Sequence, residues 1–361
     1  MSALYQNENM LKTLSEAFGP SGYEDAVAAL IAEYVQESAD AYCRDKLGNL
    51  IFKVCGGGPG YHAENPTRVM IAGHMDEIGM MVRRISDEGC LYFALIGEID
   101  VRALCGRRVR VMGKNGEIPG VIATKAIHLQ SAQERRETVP VNKLYIDIGA
   151  ESKEEAEELA PVGSFATFDS DFYAFGQDGR QYKGKAFGGR SGCAAMVAVM
   201  QRLHEQGKLL PFDLYFAFTK CGEIGLSAGG VAANGIDPDY AIVLDAIESA
   251  DYDGVPEGKR ICSLGQGAVI PYLDPGTIYD RSFVDFAFSV SELYGVPVQG
   301  SNRLAGGSDA RVLQSVGTGI RTMSIQLPVR NRLSASCVAM ASDCAAVENL
   351  LYSMLTNWKM N

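Results

Sequence analysis

The chain has 361 residues, enough for two domains or for one large domain carrying an insertion. Hydrophobic residues make up 47% and charged residues 21%, a balance that excludes general disorder and predicts a large core. Lys plus Arg is 33 against 44 Asp plus Glu, so the net charge of −11 argues against sequence-independent binding to nucleic acid or to an anionic membrane surface.

No apolar run approaches the roughly 18 residues of a membrane helix. The opening MSALYQNENMLKTLSEAFG lacks the basic start and long apolar stretch of a secretory signal. The nine Cys are scattered, with no C-x-x-C pair. They predict reduced thiols in a cytoplasm rather than a disulfide framework or a cysteine zinc site. Four His occur: His62, His74, His128 and His204.

Residues 1–55 predict a helix, a turn at Gly19-Pro20-Ser21-Gly22, a longer helix over 25–35 and a strand over 49–54. In the second helix Val27, Leu30, Ile31 and Val35 keep an amphipathic spacing. The glycine-rich 56–60 stretch is a loop, and 68–73 is a short buried strand ending at His74. From 79 to 171 the pattern changes to short β-like runs at 79–85, 90–96, 108–112, 120–124 and 143–149. Asn115-Gly116 between two of them is a hairpin signal. An acidic helix over 151–159 presents a solvated face. This stretch reads as a small β-rich domain, 79–171, inserted into an α/β domain made of 1–78 and 172–361. Beyond 172 come a helix over 191–205, with Met196, Met200 and Leu203 on one face, and apolar strands at 212–219, 240–244 and 322–327. Continuous apolar strands between helices predict a sheet covered on both faces.

In open α/β sheets, chemistry sits beyond the carboxyl ends of strands. Three such ends carry ligand-type side chains: His74 with Asp76 and Glu77, Glu223, and Asp245. An imidazole with two or three carboxylates can hold a divalent metal, with Asp76 orienting His74. The same groups can equally be a hydrogen-bonded structural cluster.

GHMDEIG at 73–79, KAFGGR at 185–190, GEIGL at 222–226, GGSDA at 306–310 and PVRNRLS at 328–334 give the chain a wider resemblance. So do the runs from Gly106 to Lys125 and from Leu144 to Ala150. The sequence resembles the glutamyl-aminopeptidase/cellulase-M-like family, family 42 of the metallopeptidases, whose members include the tetrahedral aminopeptidases. The resemblance implies an α/β peptidase fold with an inserted β-rich dimerisation domain. It also implies a two-metal zinc or cobalt aminopeptidase that builds closed oligomers. Carried over position by position, it makes His74 and Asp245 ligands of one metal, Asp76 the partner of His74, and Glu223 a ligand of the other.

The same carry-over finds three side chains missing. The bridging Asp falls on Gly188, the general base on Gly222, and the second metal-binding His on Leu333. No His follows His204, so no shift of register restores it. Cys221 and Cys337 lie near these motifs but at no ligand position. A bridging carboxylate helps neutralise metals about 3.5–4 Å apart. A catalytic zinc usually has about three protein ligands, and losing the base alone costs about 10²–10⁴ in rate. The expectation is an impaired or inactive aminopeptidase relative holding one weakly bound divalent metal or none. It would act as an oligomer subunit, alone or with an active relative, or as a peptide-binding module. Rival readings are an active metallo-aminopeptidase with a rebuilt site, and a glycan-directed hydrolase using Glu223 and Asp245. The triple change Gly188→Asp, Gly222→Glu, Leu333→His is expected to raise metal affinity, since such ligands act as one unit.

Overall fold

The computed structural model describes residues 7–225, 228–302 and 307–360. Leu226, which closes the GEIGL motif, and Gly306, which opens GGSDA, lie outside the described residues, as do residues 1–6.

An α/β core is built on an eight-stranded mixed sheet. Its strand order is Ala41–Arg44, Leu50–Val54, Asp213–Thr219, Arg68–His74, Tyr240–Glu248, Arg321–Val329, Ala268–Pro271 and Val298–Ser301. The four central strands, from Asp213–Thr219 to Arg321–Val329, run parallel. They are the most apolar runs of the sequence, and they are buried almost end to end. That is what a sheet with both faces covered requires. The helices Phe187–Glu205 and Ala228–Ile236 both pack against Arg68–His74. The first is buried through 15 of its 19 residues, so it is apolar nearly all round rather than amphipathic.

Parallel register sets the site. Thr219 pairs with His74, and Val243 with Ala72, so three neighbouring strands deliver their carboxyl ends to one edge. His74, Asp245 and the turn carrying Glu223 therefore converge.

A second unit is a closed six-stranded barrel. It joins Gly79–Ile85, Leu91–Ile96, Tyr145–Asp147, Gly116–Ala123, Arg108–Gly113 and Phe165–Phe168. It has its own apolar centre, including Met80, Val82, Phe93, Val111 and Ile146. Closure leaves it no sheet edge. Gly113 pairs with Gly116, so the hairpin loop is Lys114-Asn115, with Gly116 at φ +117°. A small antiparallel sheet of Tyr173–Phe175, Gln181–Gly184 and Cys337–Met340 ties the middle of the chain to the loop before Cys337.

Two details differ from the sequence reading. The helix expected over 191–205 starts at Phe187, so Ser191 lies inside it. Ser191 Oγ donates to the Phe187 carbonyl at 2.6 Å. Gly188-Gly189 looks like a turn by propensity, but the sheet beneath holds it as the first helical turn. The strand Ala41–Arg44 also went unread, because all four residues are exposed and carry no burial pattern. Among the described residues no helix is long and apolar enough to cross a membrane.

Candidate active site

His74 sits at the last position of its strand, with Asp76 two residues on. His74 Nδ1 is 3.0 Å from Asp76 Oδ1, and His74 Nε2 is 3.9 Å from Asp245 Oδ1. Asp76 is fully buried and has four partners besides solvent-free packing: His74, the Ser21 hydroxyl, and the backbone N–H groups of Gly222 and Glu223, both at 2.8 Å. One carboxylate thus fixes both the imidazole and the turn that carries Glu223. Burial opposes the charge on His74, but Asp76 and Asp245 outweigh it and hold the ring protonated well above its usual range. Burial likewise opposes the charge on Asp76, and His74 and Ser21 keep it below the usual range. Glu223 is pushed up, by burial first and then by Asp76 and Asp245.

Glu77, next in sequence, does not join this group. It is buried on the other side of the chain turn, taking the Lys185 ammonium at 2.6 Å on both oxygens. It also accepts from Arg190 and from the Gly19 N–H, each at 3.1 Å. The Lys and Arg of the KAFGGR motif therefore pin the start of the buried helix to the end of the His74 strand. Cys221 Sγ faces Glu24 at 3.5 Å, and Cys337 Sγ packs on the carbonyls of Asn331 and Arg332.

The imidazole lies between two glycines. A Cβ on Gly189 would stand 2.2 Å from the His74 carbonyl and 2.4 Å from Nδ1. A Cβ on Gly222 would stand 2.7 Å from His74 Cβ and Cγ. The ring fills the space that side chains at 189 and 222 need. A side chain at 222 therefore needs His74 or the Gly222–Ile224 turn to shift, which bears directly on the triple variant. Gly188 is different. Its Cβ position is 3.0 Å from Glu223 Oε1 and 3.9 Å from both Arg332 Nη1 and His74 Cε1. Its nearest neighbour is thus the end of a side chain rather than backbone or the body of the ring. The chain at Leu333 is anchored by its carbonyl, which accepts from Asp100 N–H at 3.1 Å.

His74, Gly222, Glu223 and Asp245 line a cavity of about 680 Å³, which also has Arg332 and Asp309 on its wall. Neither of these two was assigned a role from the sequence. Asp309 stood in plain view in the GGSDA loop. Arg332 sits one place before Leu333, where nothing in a pattern read for metal ligands draws attention to a cation. Burial pushes Asp309 up, helped by Asp245, while Thr219 Oγ1 donates to it at 3.3 Å. Arg332 stays charged: burial works against it, and Asp245 and Glu223 outweigh burial.

These residues do not fit a pair of metal ions. Among the described residues no group of three or more His, Cys, Asp or Glu side chains could hold one. The cations already facing Glu223 and Asp245 are the His74 imidazolium and the Arg332 guanidinium.

The fold and the motifs have relatives. The M42 glutamyl aminopeptidase family profile matches residues 48–350. A putative aminopeptidase of Acetivibrio thermocellus is 32% identical over 344 residues, covering 95% of this chain and 96% of that protein. The crystal structure of a TET aminopeptidase from the marine sediment archaeon Thaumarchaeota archaeon SCGC AB-539-E09 superposes with a TM-score of 0.93. It is 32% identical and covers 98% of this chain and 97% of its own. The TET1 peptidase of Pyrococcus horikoshii, which can assemble into a tetrahedron or a large octahedral shell, superposes at 0.84 with 31% identity, covering 97% and 99%. With the family profile spanning both the sheet that carries His74 and the barrel inserted after it, the chain belongs to the M42 glutamyl aminopeptidase family.

Proposed function

We propose that this chain is a pseudoenzyme of the M42 metallo-aminopeptidases. It keeps the peptide-handling pocket and the assembly module of the family without its hydrolytic chemistry. The observation that carries this reading is the imidazole of His74 packed against Gly189 and Gly222, with Gly188 beside it. The positions of the bridging carboxylate and of the general base then have no side chain, and the space for one at 222 is taken. Family membership implies a divalent metal. The donors left for it are His74, Glu223 and Asp245, and two of these already face a fixed cation. Without a base and with an incomplete donor set, neither the attacking water nor the metals' charge on the carbonyl is supplied.

The test is elemental analysis of purified protein together with hydrolysis of aminoacyl-p-nitroanilides, with and without added zinc or cobalt. Negligible turnover and fewer than two metals per chain are expected. Turnover comparable to an active family member, abolished by His74→Ala, overturns the reading.

We further propose that the 79–171 barrel is the self-association module. Support comes from the oligomeric P. horikoshii relative and from the barrel's separate apolar centre, which lets it keep its surface while the pocket diverges. Light scattering on this chain alone, and after co-expression with an active relative, separates a homo-oligomer from a mixed one. A monomer in both cases ends the idea.

A further inference from the structure

The pocket offers a donor and an acceptor that the protein itself leaves unmatched. Arg332 lines the cavity partly buried, close enough to Glu223 and Asp245 for their charges to matter. Yet among the described residues its guanidinium has no hydrogen-bond partner, and neither has the Glu223 carboxylate. Both groups border Gly188, Glu223 Oε1 at 3.0 Å and Arg332 Nη1 at 3.9 Å from its Cβ point. A guanidinium with a free planar fork, facing a cavity, is built for a carboxylate. A free carboxylate a few ångströms away suits an ammonium. The small molecule that carries both charges one carbon apart is an α-amino acid. A peptide N-terminus brings the ammonium without the carboxylate, and a peptide C-terminus brings the reverse. Glu98, Ser308, Asp309 and Arg311 also line the cavity, and its apolar part gives the side chain its class: Ile224 is 51% exposed and Val312 36% exposed, and both line the cavity with Pro275.

We propose that the cavity binds a free α-amino acid with an apolar side chain, its carboxylate on Arg332, its ammonium on Glu223, and its side chain over Ile224 and Val312. This rests on the reading that no metal pair fills the pocket. It turns the residue that stands in for the lost cations into the ligand's anchor. The chain then reports on, or stores, the product class of peptide hydrolysis rather than making it.

The experiment is isothermal titration calorimetry in a buffer containing chelator, with L-leucine, L-leucinamide and N-acetyl-L-leucine. Leucine is expected to bind at least tenfold more tightly than either analogue, since each lacks one of the two charges. Arg332→Met is expected to abolish binding and Arg332→Lys, which keeps the charge but not the fork, to weaken it several-fold. Leucinamide matching leucine overturns the proposal, as does wild-type affinity in Arg332→Met or no leucine binding at millimolar concentration. The comparison of ligands on the parent protein decides the matter even if a variant fails to fold. Hydrolysis with added zinc would instead defeat the pseudoenzyme reading, and the titrations in chelator would still judge the amino-acid site separately.

Discussion

The three glycines around His74 predict a ranked stability series. At Gly222 a methyl group would stand 2.7 Å from His74 Cβ and Cγ. Carbon atoms normally rest about 3.5–4.0 Å apart, so the imidazole or the Gly222–Ile224 turn must move by roughly 1 Å. Neither has slack, because Asp76 ties the ring and the Gly222 and Glu223 N–H groups together. Overpacking of this kind costs about 1–3 kcal/mol, and the stiffer unfolded chain returns about 0.4–1 kcal/mol. The unfolding entropy of about 2.1 cal/mol/K per residue converts the remainder into a fall of up to about 3 °C. Gly189→Ala should be worse, since its methyl group meets a backbone carbonyl at 2.2 Å. Gly188→Ala should be nearly neutral, because its nearest neighbour is the end of the Glu223 side chain. Gly235→Ala, in the helix Ala228–Ile236 with nothing within 4 Å, is the control. It should gain about 0.5–1 kcal/mol from helix propensity. The assay is scanning calorimetry, with imidazole NMR to follow His74; four His make its ring signals assignable. If Gly222→Ala melts with the Gly235→Ala control and leaves the His74 signals unmoved, the packing of the ring between the two glycines is wrong.

Gly188→Asp should cost about 1–3 kcal/mol, because its Cβ falls 3.0 Å from Glu223 Oε1 and it sets a second carboxylate beside that buried one; a melt unchanged from the parent would show that Glu223 moves aside freely. The triple variant Gly188→Asp, Gly222→Glu, Leu333→His should show no gain in zinc affinity by calorimetry, and a gain of tenfold or more would show that His74 yields to the new side chain. Burial works against the charge on Asp251, but hydrogen bonds from Arg330 and Ser249 prevail and bring its pKa down to about 2. Its contribution is therefore complete above pH 4 and lost as the pH falls through about 2. With one partner partly exposed, this amounts to about 1–2 kcal/mol. Asp251→Asn should flatten the acid limb of a urea-melt series between pH 5 and 2, and an unchanged limb would refute the pairing. Of the nine thiols, Cys43, Cys55 and Cys105 are exposed and should react at once with a disulfide reagent, whereas Cys193, Cys262, Cys337 and Cys344 should need unfolding. A different set of fast thiols by mass spectrometry would contradict the burial.

Much of the fold was legible because its central strands carry unbroken apolar runs, and such runs announce themselves without a partner. The barrel strands were legible for the opposite reason, as short runs bounded by turn residues, with Asn115-Gly116 marking one hairpin. What stayed hidden depends on tertiary context. The strand Ala41–Arg44 has no buried face to leave a pattern. The helix start at Phe187 contradicts local propensity and is decided by the sheet under it. At the site, His74, Glu223 and Asp245 were visible as strand-end ligand types, and Gly188, Gly222 and Leu333 as departures from the motifs that the chain resembles. That the imidazole takes up the room left at 189 and 222 could not be read from a line of letters. Neither could the arrival of Arg332 in the cavity, since a cation has meaning only beside the carboxylates it faces.

Those carboxylates explain why the site persists in its present form. Glu223 and Asp245 are costly to leave buried without a counter-charge. In a metal centre the ions supply it. Here His74 and Arg332 do, and both stay charged against the cost of burial because Asp76, Glu223 and Asp245 surround them. Two cations thus face three carboxylates, with Asp309 a fourth on the cavity wall, so the cluster keeps a deficit of positive charge. The two glycines beside His74 hold the ring in place. The cavity of about 680 Å³ beside the cluster stays open, walled by charges of both signs.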